Sequence, residues 1–172
     1  MFDYIQSAVK LVIDKAIREH ILGYRPVVMC VLKDIHSEKF ILIKPAQKPD
    51  LWILPQEGLE FGESVESAAT RCIQEELGMD ANQINFRRSR WINRVKFPES
   101  RKNERDLKFS VRGMIGKSYF VAHISCSSDS TIIANRSEVE ESKWVTQQDA
   151  LQLVKTNTEA KKNILANAIN NY

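Results

Sequence analysis

Residues 57–79 read EGLEFGESVESAATRCIQEELGM, and the second half of this stretch has the marks of one capped helix. Ser64 is a residue type whose hydroxyl accepts from first-turn amides, and Gly78 is the type that ends a helix in a left-handed conformation. The interval Val65 to Leu77 is therefore predicted to be helical. At about 100° per residue, Val65, Ala69, Cys72 and Ile73 share one apolar face, and Glu76 falls in the middle of that arc. A carboxylate among apolar neighbours either takes up a proton or sits beside a cation. Glu75 lies at the edge of the stripe, where two adjacent carboxylates repel unless a metal or a base neutralises them. Arg71 is one turn before Glu75 and is placed to pair with it. Upstream, Pro55 to Glu63 (PQEGLEFGE) holds two glycines and three glutamates. It reads as a loop whose backbone can approach a phosphate or a metal closely.

Outward from this stretch, 172 residues with 25 Lys and Arg, 22 Asp and Glu and 43% hydrophobic content suit one domain with a proper core. No apolar run reaches the roughly 18 residues of a membrane span. The cysteines are Cys30, Cys72 and Cys126, an odd number without CxxC spacing. That argues against a disulfide framework or zinc knuckle, and a reducing cytoplasm is the expected setting. The first 24 residues read as an amphipathic helix with Phe2, Ile5, Val9, Val12, Ala16 and Ile17 on one face. It is expected to pack on the domain of residues 25–172, with a dimer contact as the alternative; a membrane role is disfavoured because its polar face mixes both signs of charge.

Strands are predicted at Pro26 to Leu32, Lys39 to Ile43, Ile84 to Phe97, Lys117 to Ser125 and Val139 to Val145, with Asp34, His36 and Ser37 in the first turn. Gln56 to Ser64 and Pro98 to Lys108 read as loops. Thr146 is placed to cap a helix to Val154, and a last helix starts at Thr156 or Thr158 and runs towards Asn170. Strands and helices alternate irregularly, which indicates an α/β fold with a mixed sheet covered by helices.

The stretch 57–79 resembles the Nudix box, G-x5-E-x7-R-E-U-x-E-E-x-G-U, where U is a bulky aliphatic residue. Glu63, Arg71, Ile73, Glu75, Glu76, Gly78 and Met79 match in order and spacing. The resemblance implies an α/β/α sandwich, a divalent cation (Mg²⁺ or Mn²⁺) and hydrolysis of a nucleoside diphosphate linked to another moiety. Glu75 and Glu76 match ligand positions, with the backbone carbonyl of Gln56 as a further ligand. Glu63, Arg71 and Gly78 match structural positions of the box. Glu57 stands where the box begins with glycine, and Cys72 replaces the first glutamate of the R-E-U-x-E-E core. Nearby carboxylates should keep the Cys72 thiol neutral and a poor ligand for a hard cation. Its readings are a small core residue, a lost ligand with reduced activity, or a softer metal preference.

Beyond the box the chain resembles the RNA pyrophosphohydrolase and diadenosine polyphosphate hydrolase branch, at Leu54-Pro55-Gln56, at Phe86 to Lys96 (FRRSRWINRVK), at Gly116 to Phe120 and at Ser137 to Val145. By that match Glu138 completes the metal site or acts as the base, and Glu76 and Glu138 are the catalytic candidates. Arg87 to Lys108 carries nine bases against three acids, a net +6 that suits a polyanion. Arg88, Arg94 and Lys96 are the phosphate-binding candidates. The expected partner is a nucleotide or polyphosphate substrate, with an RNA 5′ end as one form. The rival reading is a weakened or inactive module that binds nucleotide or RNA without hydrolysing it.

Overall fold

The structure is a computed structural model that describes residues 15–48, 50–97, 113–127, 132–154 and 159–172. The loop expected at Pro98 to Lys108, the start of the N-terminal helix and the start of the last helix lie outside the described residues.

The chain runs through α1 (described over 15–21), then β1 (Tyr24–Asp34), β2 (Phe40–Pro45), β3 (Gln56–Gly58), α2 (Val65–Leu77), β4 (Ile84–Lys96), β5 (Gly116–Cys126), β6 (Val139–Val145), α3 (Gln147–Leu153) and α4 (Glu159–Asn170). One sheet has the order β4-β5-β1-β2-β6, with β3 paired to β1. β1 and β5 run parallel over their whole lengths, and the other pairings are antiparallel. The turn between β1 and β2 is fixed by the Asp34 carboxylate, which accepts from the amides of His36 (3.1 Å) and Ser37 (3.0 Å).

Side-chain alternation along the strands splits the core into two layers. Val28, Cys30, Leu32, Phe120, Ala122 and Ile124 face α2. Val27, Met29, Val31, Tyr119 and Val121 face α3 and α4. The arrangement is an α/β/α sandwich, as the box implied. One expectation is corrected: Gln56–Gly58, read as loop, is strand β3, in register with Met29, Val28 and Val27. Its amides and carbonyls find partners on β1, which outweighs a composition poor in strand formers.

α2 has the predicted boundaries. Ser64 Oγ accepts from the Ser67 amide at 3.0 Å. Gly78 has φ +65°, and a Cβ there would lie 2.5 Å from the Ile133 carbonyl oxygen. Glycine is needed twice over, for the left-handed turn and for the close passage of the segment that leads to Glu138. That segment is tied to the end of α2 by Ile133 N–H to Leu77 O (2.9 Å) and Asn135 N–H to Glu76 O (3.3 Å).

α1 is held to the sheet by a polar contact. Glu19 is fully buried and receives both Nε (2.5 Å) and Nη2 (2.7 Å) of Arg94 on β4. Lys15 also reaches Glu19 (3.3 Å) and lies over the Trp91 ring. Burial alone would raise the Glu19 pKa. The bonds from Arg94, Ser118 and Lys15 outweigh it and leave it below the usual carboxylate range.

Gly78→Ala should destabilise the protein by at least about 1–2 kcal/mol from the left-handed backbone alone, with a further loss from the Ile133 contact, as read by denaturant unfolding. Arg94→Gln should lower the thermal midpoint by taking two charge-assisted bonds from a buried carboxylate and leaving it to Lys15 and Ser118, and adding Glu19→Gln should recover part of the loss. The native Glu19 binds a proton less readily than the unfolded one. Its contribution is therefore present above the unfolded pKa and lost as pH falls through the folded value.

Candidate functional site

The site is built by a loop locked to a helix. Arg71, on the second turn of α2, donates through Nε (3.2 Å) and Nη2 (2.9 Å) to the Glu63 carboxylate, and through Nη2 to the Gly58 carbonyl (2.9 Å). Glu63 in turn accepts from the Glu60 amide (2.9 Å). One guanidinium thus ties β3, the loop and the helix together. The Glu63 bond raises the Arg71 pKa further, so the charge is permanent. Burial would raise Glu63, but Arg71 and the Glu60 amide outweigh it and hold Glu63 low. Arg71 also reaches Glu75 through Nη1 at 3.6 Å, and Glu75 is half-exposed on that side.

Glu76 points the other way, into the core side of α2, and is 9% exposed. Its Oε2 accepts from the Cys72 thiol at 3.6 Å. Burial pushes its pKa from 4.5 up to about 8; the Cys72 thiol and the Gln56 backbone hold it down, while the charges of Glu57 and Glu138 push it up. Cys72 is fully buried, and its thiol is pushed well up by the neighbouring Cys30 thiol, by burial and by the charges of Glu76 and Glu57. It is a neutral donor to Glu76.

Sequence reasoning treated Glu57 only as a departure from glycine. In the structure it is a half-buried carboxylate on β3 that accepts from the Gly58 amide (2.7 Å), lies 3.9 Å from Arg25 Nη2 and adds negative charge at both Glu76 and Cys72. Position 57 also has no left-handed backbone. The signal for this was the strand pairing of Gln56–Gly58, which the composition hides.

Glu138 is exposed at the rim, with its amide bonded to Asn135 O (2.9 Å) and its carbonyl to the Ala46 amide (2.8 Å). Glu57 and Glu138 act on Glu76 by their charge, and the Gln56 amide donates to it; the three carboxyl groups are oxygen donors of the kind a hard divalent cation takes. Among the described residues, no three His, Cys, Asp or Glu side chains stand close enough as they are to share one ion. The basic candidates go elsewhere. Arg94 is committed to Glu19. Arg88 donates to His123 Nδ1 (3.0 Å) and Asn171 O (2.6 Å), on the α4 face of the sheet. Lys96 ends β4, opposite Gly116.

Comparison with known proteins matches the description "NUDIX domain" to residues 23–168. An RNA pyrophosphohydrolase of Ruthia magnifica subsp. Calyptogena magnifica is 34% identical over 79 residues, which is 45% of this chain and 42% of that protein's length. Among solved structures, the E. coli dihydroneopterin triphosphate pyrophosphohydrolase superposes with a TM-score of 0.66 at 18% identity, over 87% of this chain and 96% of that one. A C. elegans Ap4A hydrolase binary complex gives 0.59 at 15% identity, over 82% and 92%. At those identities the likeness is one of fold. With the Arg71 lock, the seven box residues and a family match from 23 to 168, the chain belongs to the NUDIX domain family.

Proposed function

We propose that the chain is a metal-dependent hydrolase that cleaves a pyrophosphate bond in a nucleoside polyphosphate. The observation that carries this reading is Glu76, a buried carboxyl pushed up to about 8 and flanked by Glu57 and Glu138. A divalent cation would reverse that cost. The similar proteins are named as an RNA pyrophosphohydrolase, a dihydroneopterin triphosphate pyrophosphohydrolase and an Ap4A hydrolase. They support a dinucleoside polyphosphate or a 5′-triphosphorylated RNA as substrate, with other nucleotide conjugates next.

In this reading Glu76, Glu57, Glu138 and the Gln56 carbonyl would hold Mg²⁺ or Mn²⁺, and Glu75 would join them on leaving Arg71. When bound, the cation neutralises phosphate oxygens and lowers the pKa of a water. The chain's own work is positional and acid–base. Arg71 and Glu63 hold β3 against α2. Glu76 would serve as a ligand in its deprotonated form, and Glu138, exposed to solvent, would accept the proton of the attacking water. Cys72 favours a second reading, a weakened module that binds nucleotide, because its thiol occupies Glu76 Oε2 where the box has a third carboxylate on the helix.

Chromatographic detection of mononucleotide products (AMP with ATP, or ADP) from diadenosine tetraphosphate, and of pyrophosphate or phosphate released from triphosphorylated RNA, separates the two. The hydrolase reading expects metal-dependent turnover by the wild type, loss of it in Glu76→Gln, and a kcat lower by about 100-fold in Glu138→Gln. No turnover by the wild type on a nucleotide panel would leave the binding reading. Cys72→Glu should raise metal affinity in calorimetry.

The Glu76 pKa also predicts a stability profile. In EDTA the folded chain keeps the Glu76 proton up to about pH 8, whereas the unfolded chain loses it near 4.5. The native state binds more protons in that window, so stability should fall as pH rises through it. Glu76→Gln should flatten this slope, and so should saturating Mn²⁺ in the wild type. An unchanged slope in Glu76→Gln would contradict the assignment.

A further inference from the structure

On the face of the sheet away from α2, a cavity of about 410 Å³ opens between the β1–β2 turn, the start of β4 and the C-terminal residues of the chain. Its walls include Lys33, Arg87, Arg88, His123, Ser125 and Tyr172. Arg87 and Arg88 are consecutive, and in a regular strand they would point to opposite faces. The register between β4 and β5 shifts between Phe86 and Arg88: Phe86 pairs with Ile124, and Arg88 pairs with His123. Arg87 is the extra residue of this bulge, which turns both guanidinium groups to one cavity.

Among the described residues, the charge of the two arginines there is not balanced by a side-chain carboxylate. Lys33 is paired with Glu38, the one side-chain carboxylate in the cavity wall. Arg87 uses Nε on Ser125 Oγ (2.9 Å), and Arg88 uses Nε on His123 Nδ1 (3.0 Å) and Nη2 on the Asn171 carbonyl (2.6 Å). Each of those partners is neutral: burial lowers the His123 pKa to about 4, so its ring carries no charge at neutral pH and accepts from Arg88. Among the described residues neither arginine has a carboxylate partner. Both side chains are exposed, so the cavity opens to solvent with two oriented, uncompensated guanidinium groups. Such a fork matches the oxygens of a phosphate group.

We propose that this cavity is a second anion site, separate from the box, which takes a phosphate or diphosphate group, either free or as part of a nucleotide. It needs no metal, which sets it apart from the site around Glu76. Calorimetric titration of the full chain in EDTA, at fixed ionic strength, tests it with inorganic phosphate, pyrophosphate and AMP. The expected result is saturable binding of at least one probe, weakened about tenfold or more by Arg87→Gln and strengthened by Glu38→Gln. Tighter binding of AMP than of the inorganic anions assigns a nucleotide, and the reverse assigns the free anion. Arg87 is the lead position because Arg88 also braces His123 and the end of the chain, so that Arg88→Gln disturbs packing. Absence of saturable binding by the wild type in EDTA, or binding unchanged in Arg87→Gln, would overturn the proposal, whatever the outcome of the hydrolysis assays.

Discussion

A carboxyl group on the buried side of α2 sets the terms for the rest of this site. Glu76 lies among core residues with two further carboxylates, Glu57 and Glu138, acting on it. Such a cluster is costly in the charged state without a counter-ion. Hydrophobic optimisation would replace Glu76 by a leucine or an alanine, since neighbouring positions on this face, Ala69 and Ile73, are small or apolar. A local conflict of this kind in an otherwise consistent helix is where function is expected.

The surrounding structure serves to keep that carboxyl in place. Arg71 joins Glu63 and the Gly58 carbonyl, so that β3 and α2 cannot separate without breaking charge-assisted bonds. Gly78 lets the 132–138 segment cross the end of the helix, and that segment brings Glu138 to the rim. The parallel β1–β5 pair beneath α2 gives the helix a rigid apolar floor. In the described residues two elements far apart in sequence, β3 and the segment before β6, thus meet at one end of one helix.

What could be read from the sequence was the part governed by local rules. Ser64, Gly78 and the apolar stripe fix α2 within the chain itself, and the place of Glu76 on that stripe follows from helical geometry. Non-local pairing was out of reach. Gln56–Gly58 contains no β-branched residue, and it becomes a strand because β1 offers it hydrogen bonds. For that reason Glu57 was seen as a missing glycine and not as a carboxylate beside Glu76. Arg94 was taken for a phosphate ligand from its strand of bases, but its partner Glu19 lies 75 positions earlier. The pairing of Arg87 with Arg88 on one face depends on a bulge, which no periodicity argument on β4 alone predicts.

The basic block therefore divides. One part of it anchors α1, another part lines a cavity across the sheet, and the acidic set stays with α2 and β3. The account rests on the claim that the acidic set is a cation site. Anomalous diffraction from crystals of the full chain soaked in Mn²⁺ examines that claim directly. The account predicts a peak within coordination distance of the Glu76 carboxylate and the Gln56 carbonyl. A well-ordered protein with no peak there, or with Mn²⁺ bound only at other residues, would contradict it.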